Sequence, residues 1–264
     1  IFKSIPIRIF GIMNNVTLLA VPLFIFMGTI LEKSGIAASM LKNMALAFRS
    51  IKGGLSISII VVGALLAAST GIVGATVVTM GLMSLPILIN QGYDKSFSAG
   101  LVASTGTLGQ IIPPSIALVL LGDVMSNAYQ RAQNDMGIFS QQTVTVGDLF
   151  IGAIVPGALI CIGYLIYTIY KNQINPNIND HTIDSKINII NLFKTLALPF
   201  LLIFLVLGSI FAGIATPTEA AAIGAFGALI IALVNGKITF AFIKESSEKT
   251  AIVSTMIFTI LIGA

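Results

Sequence analysis

Apolar and polar positions follow one another in long blocks rather than at the short periods of a soluble helix or strand. The first apolar block, 15–31, is followed by an amphipathic basic stretch, 36–52, which ends at Gly53 and Gly54 and predicts a helix lying at a membrane surface. Two apolar arms, 55–68 and 75–90, flank the run Ser69-Thr70-Gly71-Ile72-Val73-Gly74. At about 1.5 Å per residue each arm reaches only about 22 to 24 Å, short of a hydrocarbon core of roughly 30 Å. A re-entrant helical hairpin over 55–90 therefore fits better than two crossings.

After the turn Gln91-Gly92-Tyr93-Asp94-Lys95, the apolar block 97–122 is interrupted over 104–115, where two glycines and two adjacent prolines predict a discontinuous helix. A polar stretch, 124–148, precedes a span at 149–170. A polar linker, 171–190, then leads to spans at 192–215 and 217–234. The last apolar segment, 250–264, is shorter than the roughly 20 residues a crossing needs. With no Met at its start, the chain is expected to be an internal piece of a longer protein.

Composition places these blocks in a bilayer. Hydrophobic residues make up 56% of the chain and charged residues 9%, with a mean hydropathy of +1.01, where a soluble domain carries about 25% charged residues. The expected fold class is an all-α polytopic membrane protein, with 1–264 forming one transmembrane domain. The net charge of +4 does not point to nucleic acid, because the basic residues punctuate apolar blocks instead of clustering on a polar surface. They read as topology signals. With 36–52 on the cytoplasmic side, only Lys3, Arg8 and Arg131 of the 14 Lys and Arg fall outside. The block around Val21-Pro22-Leu23-Phe24 and the one around Ile257-Phe258-Thr259-Ile260 resemble each other and run in opposite predicted directions, as in an inverted repeat.

Irregular backbone at membrane depth is tolerated only where protein or a water-filled cavity satisfies its polar groups. The two interruptions, 69–74 and 104–115, are such places. Their hydroxyls and freed carbonyls supply hard oxygen ligands without a carboxylate, which suits Na⁺, and half-helix C-termini add negative partial charge. Ser69, Thr76, Ser104, Thr105, Gly106, Thr107 and Gly109 are the candidate Na⁺ ligands. Half-helix N-termini suit a substrate carboxylate, with Ser69, Thr70, Gly71, Thr105, Gly106, Pro113 and Pro114 as candidate contacts. The same small residues also serve close packing between membrane helices, and the prolines also serve as kinks.

Other chemistry has little support. Glu219 follows Thr216-Pro217 and reads as part of a helix cap. His181 lies in the polar linker, and Cys161 is the sole cysteine, within an apolar run. HExxH, Gly-x-Ser-x-Gly and Walker-type phosphate loops do not occur, so an enzyme is not expected.

Four ordered motifs carry a family likeness: Val21-Pro22-Leu23-Phe24-Ile25-Phe26-Met27-Gly28, Gly92-Tyr93-Asp94-Lys95, the run from Ala103 through Thr105-Gly106-Thr107-Leu108-Gly109-Gln110 to Pro113-Pro114-Ser115, and Ala215-Thr216-Pro217-Thr218-Glu219-Ala220-Ala221-Ala222. On these the chain resembles the large membrane subunit, DctM-type, of TRAP (tripartite ATP-independent periplasmic) transporters. The resemblance implies an elevator fold of the ion-transporter superfamily, Na⁺ as coupling ion with no other cofactor, and a small organic acid as substrate. It also implies a small four-helix membrane subunit, a periplasmic substrate-binding protein and the bacterial cytoplasmic (inner) membrane. Residues 15–122 match a first transport repeat, 149–234 connecting spans and 250–264 the start of a second repeat; Ser69–Thr76 and Ser104–Ser115 match one sodium site. Many members read Ser-Gly-Ser-Ser at the hairpin tip, where this chain reads Ser69-Thr70-Gly71-Ile72. That departure looks like the mannitol/chloroaromatic subgroup, similar systems being linked to 2-oxo acids and lactate. The alternatives are a Na⁺/carboxylate symporter of the same superfamily that needs no binding protein, an ion channel and an intramembrane enzyme.

Overall fold

The computed structural model describes residues 4–48, 50–138, 143–174 and 189–263; side chains are described for all of these except 4, 5, 7, 8, 70, 75 and 189–195. His181, with most of the polar linker, lies outside the described residues, as do Lys3, Arg49 and Lys186. The described residues are helical with short connections, forming α1 (Ser4–Met13), α2 (Ala20–Lys33), α3 (Ile36–Ala47), α4 (Gly54–Thr70), α5 (Val73–Asn90), α6 (Lys95–Thr107), α7 (Ile116–Asp135), α8 (Val146–Ile174), α9 (Ile189–Phe211), α10 (Pro217–Val234) and α11 (Phe240–Gly263). α8 and α10 are long and apolar enough to cross a membrane, and the bent pair α2–α3, turning by 59° after Lys33, makes a third candidate if counted as one span.

The bend lies at Gly35, whose φ of 74° ends the line of α2 before α3 begins. α3 is the predicted amphipathic stretch. Its apolar face, with Ile36, Met40, Leu41 and Met44, is buried against α4 and α9. α10 offers α2 a face of small residues, Ala220, Ala221, Gly224, Ala225 and Ala228, all buried. A Cβ on Gly224 would stand 2.6 Å from Met27 Sδ and 2.9 Å from Val206 Cγ2, so this glycine sets how closely α2, α9 and α10 approach.

α1 is not expected from the sequence, and two boundaries differ most from the expectation. The apolar block expected to end at 122 is exceeded by its helix, since α7 continues through the polar residues to Asp135. Residues 124–135 contain neither Gly nor Pro, and the helix ends only before Gly137, whose φ is 71°; polarity carries the chain out of the apolar layer without breaking the helix. Likewise α11 begins at Phe240 rather than near Thr250. Thr239 starts it by accepting the Phe242 N–H at 3.1 Å, and its polar turns are held by pairs with α2 described below.

Polar contacts join the helix ends in two groups. At one end Lys52 Nζ lies 3.4 Å from the Gln173 carbonyl, Lys237 shares a cavity wall with Ser34 and Gly35, and Lys171 faces Asp94 across another. At the other, Asn15 donates to Asp123 at 2.7 Å and Thr218 to the Val16 carbonyl at 2.9 Å.

Candidate functional site

The hairpin tip is built by two residues. α4 closes on Gly71, which takes a left-handed φ of 59° and donates its N–H to the Ala67 carbonyl at 3.1 Å. Ile72 is extended and α5 starts at Val73. A Cβ at Gly71 would lie 3.3 Å from Ile116 Cγ1, so both its conformation and its surroundings favour glycine. Ser69 is buried and its hydroxyl donates to the Leu66 carbonyl at 2.8 Å. Thr70 is the last residue of α4. Thr76, also buried, donates to the Ile72 carbonyl at 2.9 Å.

The broken helix begins where the Asp94 carboxylate accepts the Phe97 N–H at 2.9 Å. α6 ends at Thr107, and a 3-10 turn, Leu108–Gln110, tightens its last carbonyls. The N–H groups of Ile111 and Ile112 both reach the Leu108 carbonyl, at 3.0 and 2.8 Å. The chain then leaves the helix through Pro113 and Pro114, buried and joined by a cis peptide bond. Ser115 restarts it. Its hydroxyl donates to the Gln110 carbonyl at 2.8 Å and accepts the Leu118 N–H at 3.4 Å, spanning the break and capping α7 at once.

These two interruptions abut. Gln110 Nε2 donates to the Gly71 carbonyl at 2.9 Å, across 39 positions of sequence. A Cβ on Gly109 would stand 3.3 Å from the Ala67 carbonyl oxygen, one on Gly63 would stand 2.9 Å from Thr105 Cβ, and one on Gly106 would collide with the Val77 side chain. α6 and its 3-10 turn thus lie against both arms of the hairpin. The negative ends of α4 and α6 come together, while the amino end of α7 stands beside Gly71; one side suits a cation and the other an anion.

The predicted residues divide accordingly. Ser69, Gly71, Gly106 and Gly109 are buried where the breaks meet, and Thr105 is wholly buried against Gly63, about two turns before the tip, with its hydroxyl donating to the Leu101 and Val102 carbonyls. Thr107 is exposed and donates to the Ser104 carbonyl at 2.7 Å. Ser104 lines a separate cavity of about 330 Å³ with Tyr164 and Lys171. Thr76 lines a small cavity on the α2 side of the hairpin with Glu32, Leu66 and Thr79. Among the described residues no group of three or more His, Cys, Asp or Glu converges as metal ligands would. Glu219 forms a capping box with Thr216: its carboxylate accepts the Thr216 N–H at 2.8 Å and its own N–H reaches Thr216 Oγ1 at 3.3 Å.

Sequence reasoning singled out neither Gln110, Gly63 nor Glu32. Gln110 carried a signal, being the one side-chain amide in the break 104–115. Glu32 carried another, as an acid at the end of an apolar span. Gly63, inside an apolar arm, carried none.

The described residues, helical throughout with apolar candidate spans and two abutting helix breaks, have the make-up of a polytopic membrane protein. The chain belongs to the family described as "Tripartite ATP-independent periplasmic transporter, DctM component", which it matches over residues 3–264. It is 32% identical over 233 residues to the C4-dicarboxylate TRAP transporter large permease protein DctM of Rhodobacter capsulatus, covering 87% of this chain and 51% of that one. It is 29% identical over 250 residues to the ectoine/5-hydroxyectoine large permease of Ruegeria pomeroyi, covering 94% and 54%. Against the sialic acid large permease of Vibrio cholerae it is 29% identical over 260 residues, covering 95% and 56%. The chain thus spans about half the length of the curated relatives it matches. Their names give no support to the mannitol/chloroaromatic subgroup expected from the hairpin tip.

Proposed function

We propose that this chain is part of the large permease subunit of a Na⁺-coupled secondary transporter that imports a small organic acid across the bacterial inner membrane. The observation that carries the reading is the contact of the two helix breaks, with Gln110 Nε2 on the Gly71 carbonyl at 2.9 Å. A cation at the paired carboxyl ends of α4 and α6 and a substrate carboxylate near the amino end of α7 satisfy each other's charge, so neither is held without the other. Ser69, Thr105 and the backbone at Gly106 and Gly109 are the nearest donors for Na⁺; Gly71, Pro113 and Pro114 border the substrate. Thr70, Thr76, Ser104 and Thr107 join them in the proposed site, through backbone carbonyls or after a shift of the hairpin. Family membership supports a small membrane subunit and a periplasmic binding protein as partners, an elevator-type movement of a first repeat over 15–122, and an inverted second repeat from about 250 onward.

The test is uptake of labelled acids into proteoliposomes holding the full-length permease with its small subunit and binding protein, with and without a Na⁺ gradient. The panel spans C4-dicarboxylates, lactate and 2-oxo acids, since the relatives' names and the hairpin-tip likeness point to different acids. Uptake that requires both Na⁺ and the binding protein is the expected result. Na⁺-driven uptake with the binding protein omitted replaces it with the autonomous symporter, and uptake indifferent to Na⁺ removes the cation site.

A further inference from the structure

A group of charges outside the two breaks links three helices at one point. Glu32, in the last turn of α2, accepts the Thr79 hydroxyl on Oε1 at 2.7 Å and the Lys249 ammonium on Oε2 at 2.9 Å. Thr79 belongs to α5, the second arm of the hairpin, and Lys249 to α11. The Glu32 side chain keeps 17% of its exposure and that of Lys249 34%, so the pair is partly withdrawn from solvent, where an unmatched charge is costly. Beside it Lys33 pairs with Glu245 at 2.8 Å. Glu245 and Lys249 stand one helical turn apart on α11, and their partners are consecutive on α2. The two pairs therefore fix both the register and the opposed direction of these helices.

The pairs differ in one respect: only Glu32 also holds the hairpin. Thr79 follows Thr76 by three positions on α5, and both line the small cavity that contains Glu32. The carboxylate is thus divided between a helix pair that its ion pairs lock together and the arm that carries the hairpin tip.

We infer that Glu32 is a positioning residue that docks the hairpin to the α2–α11 pair through Thr79, with Lys249 matching its charge whether or not the hairpin is docked. The inference deepens the transporter reading and rests on it for its functional consequence: any movement of the hairpin against α2 must part the Thr79 hydroxyl from Glu32, whereas the Glu32–Lys249 pair stays intact. One hydrogen bond then biases the docked position by roughly two- to tenfold. It acts one turn from Thr76, so its loss weakens the ordering of the tip around the cation.

The experiment uses the complete permease and combines hydrogen–deuterium exchange with the Na⁺ dependence of uptake. Thr79→Val is expected to raise exchange along α5 and at 69–74 and to raise the apparent KM for Na⁺ roughly two- to tenfold, with maximal uptake changed less. Thr79→Ser, which keeps the hydroxyl, restores both. Glu245→Gln breaks the neighbouring pair and leaves exchange in α5 unchanged. Lys249→Met strands the carboxylate, and the exchanged pair Glu32→Lys with Lys249→Glu is expected to recover the α2–α11 contact. Unchanged α5 exchange in Thr79→Val, or equal loss in Thr79→Ser, overturns the inference. If the exchange results hold while wild-type uptake proves independent of Na⁺, the docking stands and the transporter reading is what fails.

Discussion

Single side chains at the crossing of the two breaks have little room to vary. Gly106→Ala places a methyl group into Val77, and overpacking of this kind costs about 1–3 kcal/mol; thermal unfolding in detergent should fall accordingly, and Val77→Ala in the same chain should recover part of the loss. Gln110→Ala leaves the Gly71 carbonyl without the amide that reaches it, a loss of about 1–3 kcal/mol where the group is buried. It should lower Na⁺-dependent uptake more than it lowers expression, and uptake with unchanged Na⁺ dependence would separate this contact from the cation site. Thr105→Ala should likewise weaken sodium coupling, whereas His181→Ala should not; equal effects would argue against the assignment. How much of this was legible depended on the residue. Thr105, Gly106 and Gly71 announced themselves as small or hydroxylated residues at a break in an apolar block. That Gln110 reaches Gly71, or that Gly63 makes room for Thr105, is set by how two separate helices cross, and no local pattern encodes it.

At the scale of elements, block lengths and punctuation predicted most of the helices. The arms 55–68 and 75–90 correspond to α4 and α5, and α10 begins at Pro217 because Thr216 and Glu219 form a reciprocal cap. Thr216→Ala removes one half of that cap and should cost about 1 kcal/mol, read as a lower unfolding temperature, with Thr216→Ser close to wild type. Two elements outran the hydropathy pattern, for a shared reason. In α7 and α11 the helix continues through polar turns, because helical hydrogen bonding is indifferent to whether a side chain faces lipid or water; only Gly137 in one case and Thr239 in the other set the boundary. Hydropathy reports where a helix is buried in lipid. Where the helix stops is decided by backbone chemistry.

For the whole molecule, the sidedness inferred from Lys and Arg can be set against packing that was not used to infer it. Thr218 on the Val16 carbonyl joins the start of α10 to the start of α2, and Lys33 on Glu245 joins the end of α2 to the first turns of α11. α2 and α10 therefore run one way and α11 the other, which is the order that alternating crossings from a single basic side require. The same two contacts would persist if the whole assembly were inverted in the membrane, so sidedness itself rests on the charge rule and needs its own measurement. With Cys161 replaced by Ala, a cysteine at Asn127, exposed on α7, should react with an impermeant maleimide added to intact spheroplasts, while one at Asn235, exposed beyond α10, should react only after permeabilisation. The reverse pattern would turn the molecule over, placing the polar end of α7 in the cytoplasm. Labelling of both positions from one side would contradict a crossing by α2, since Asn127 lies beside Asp123 at the Asn15 end and Asn235 beside Gly35 at the Lys33 end.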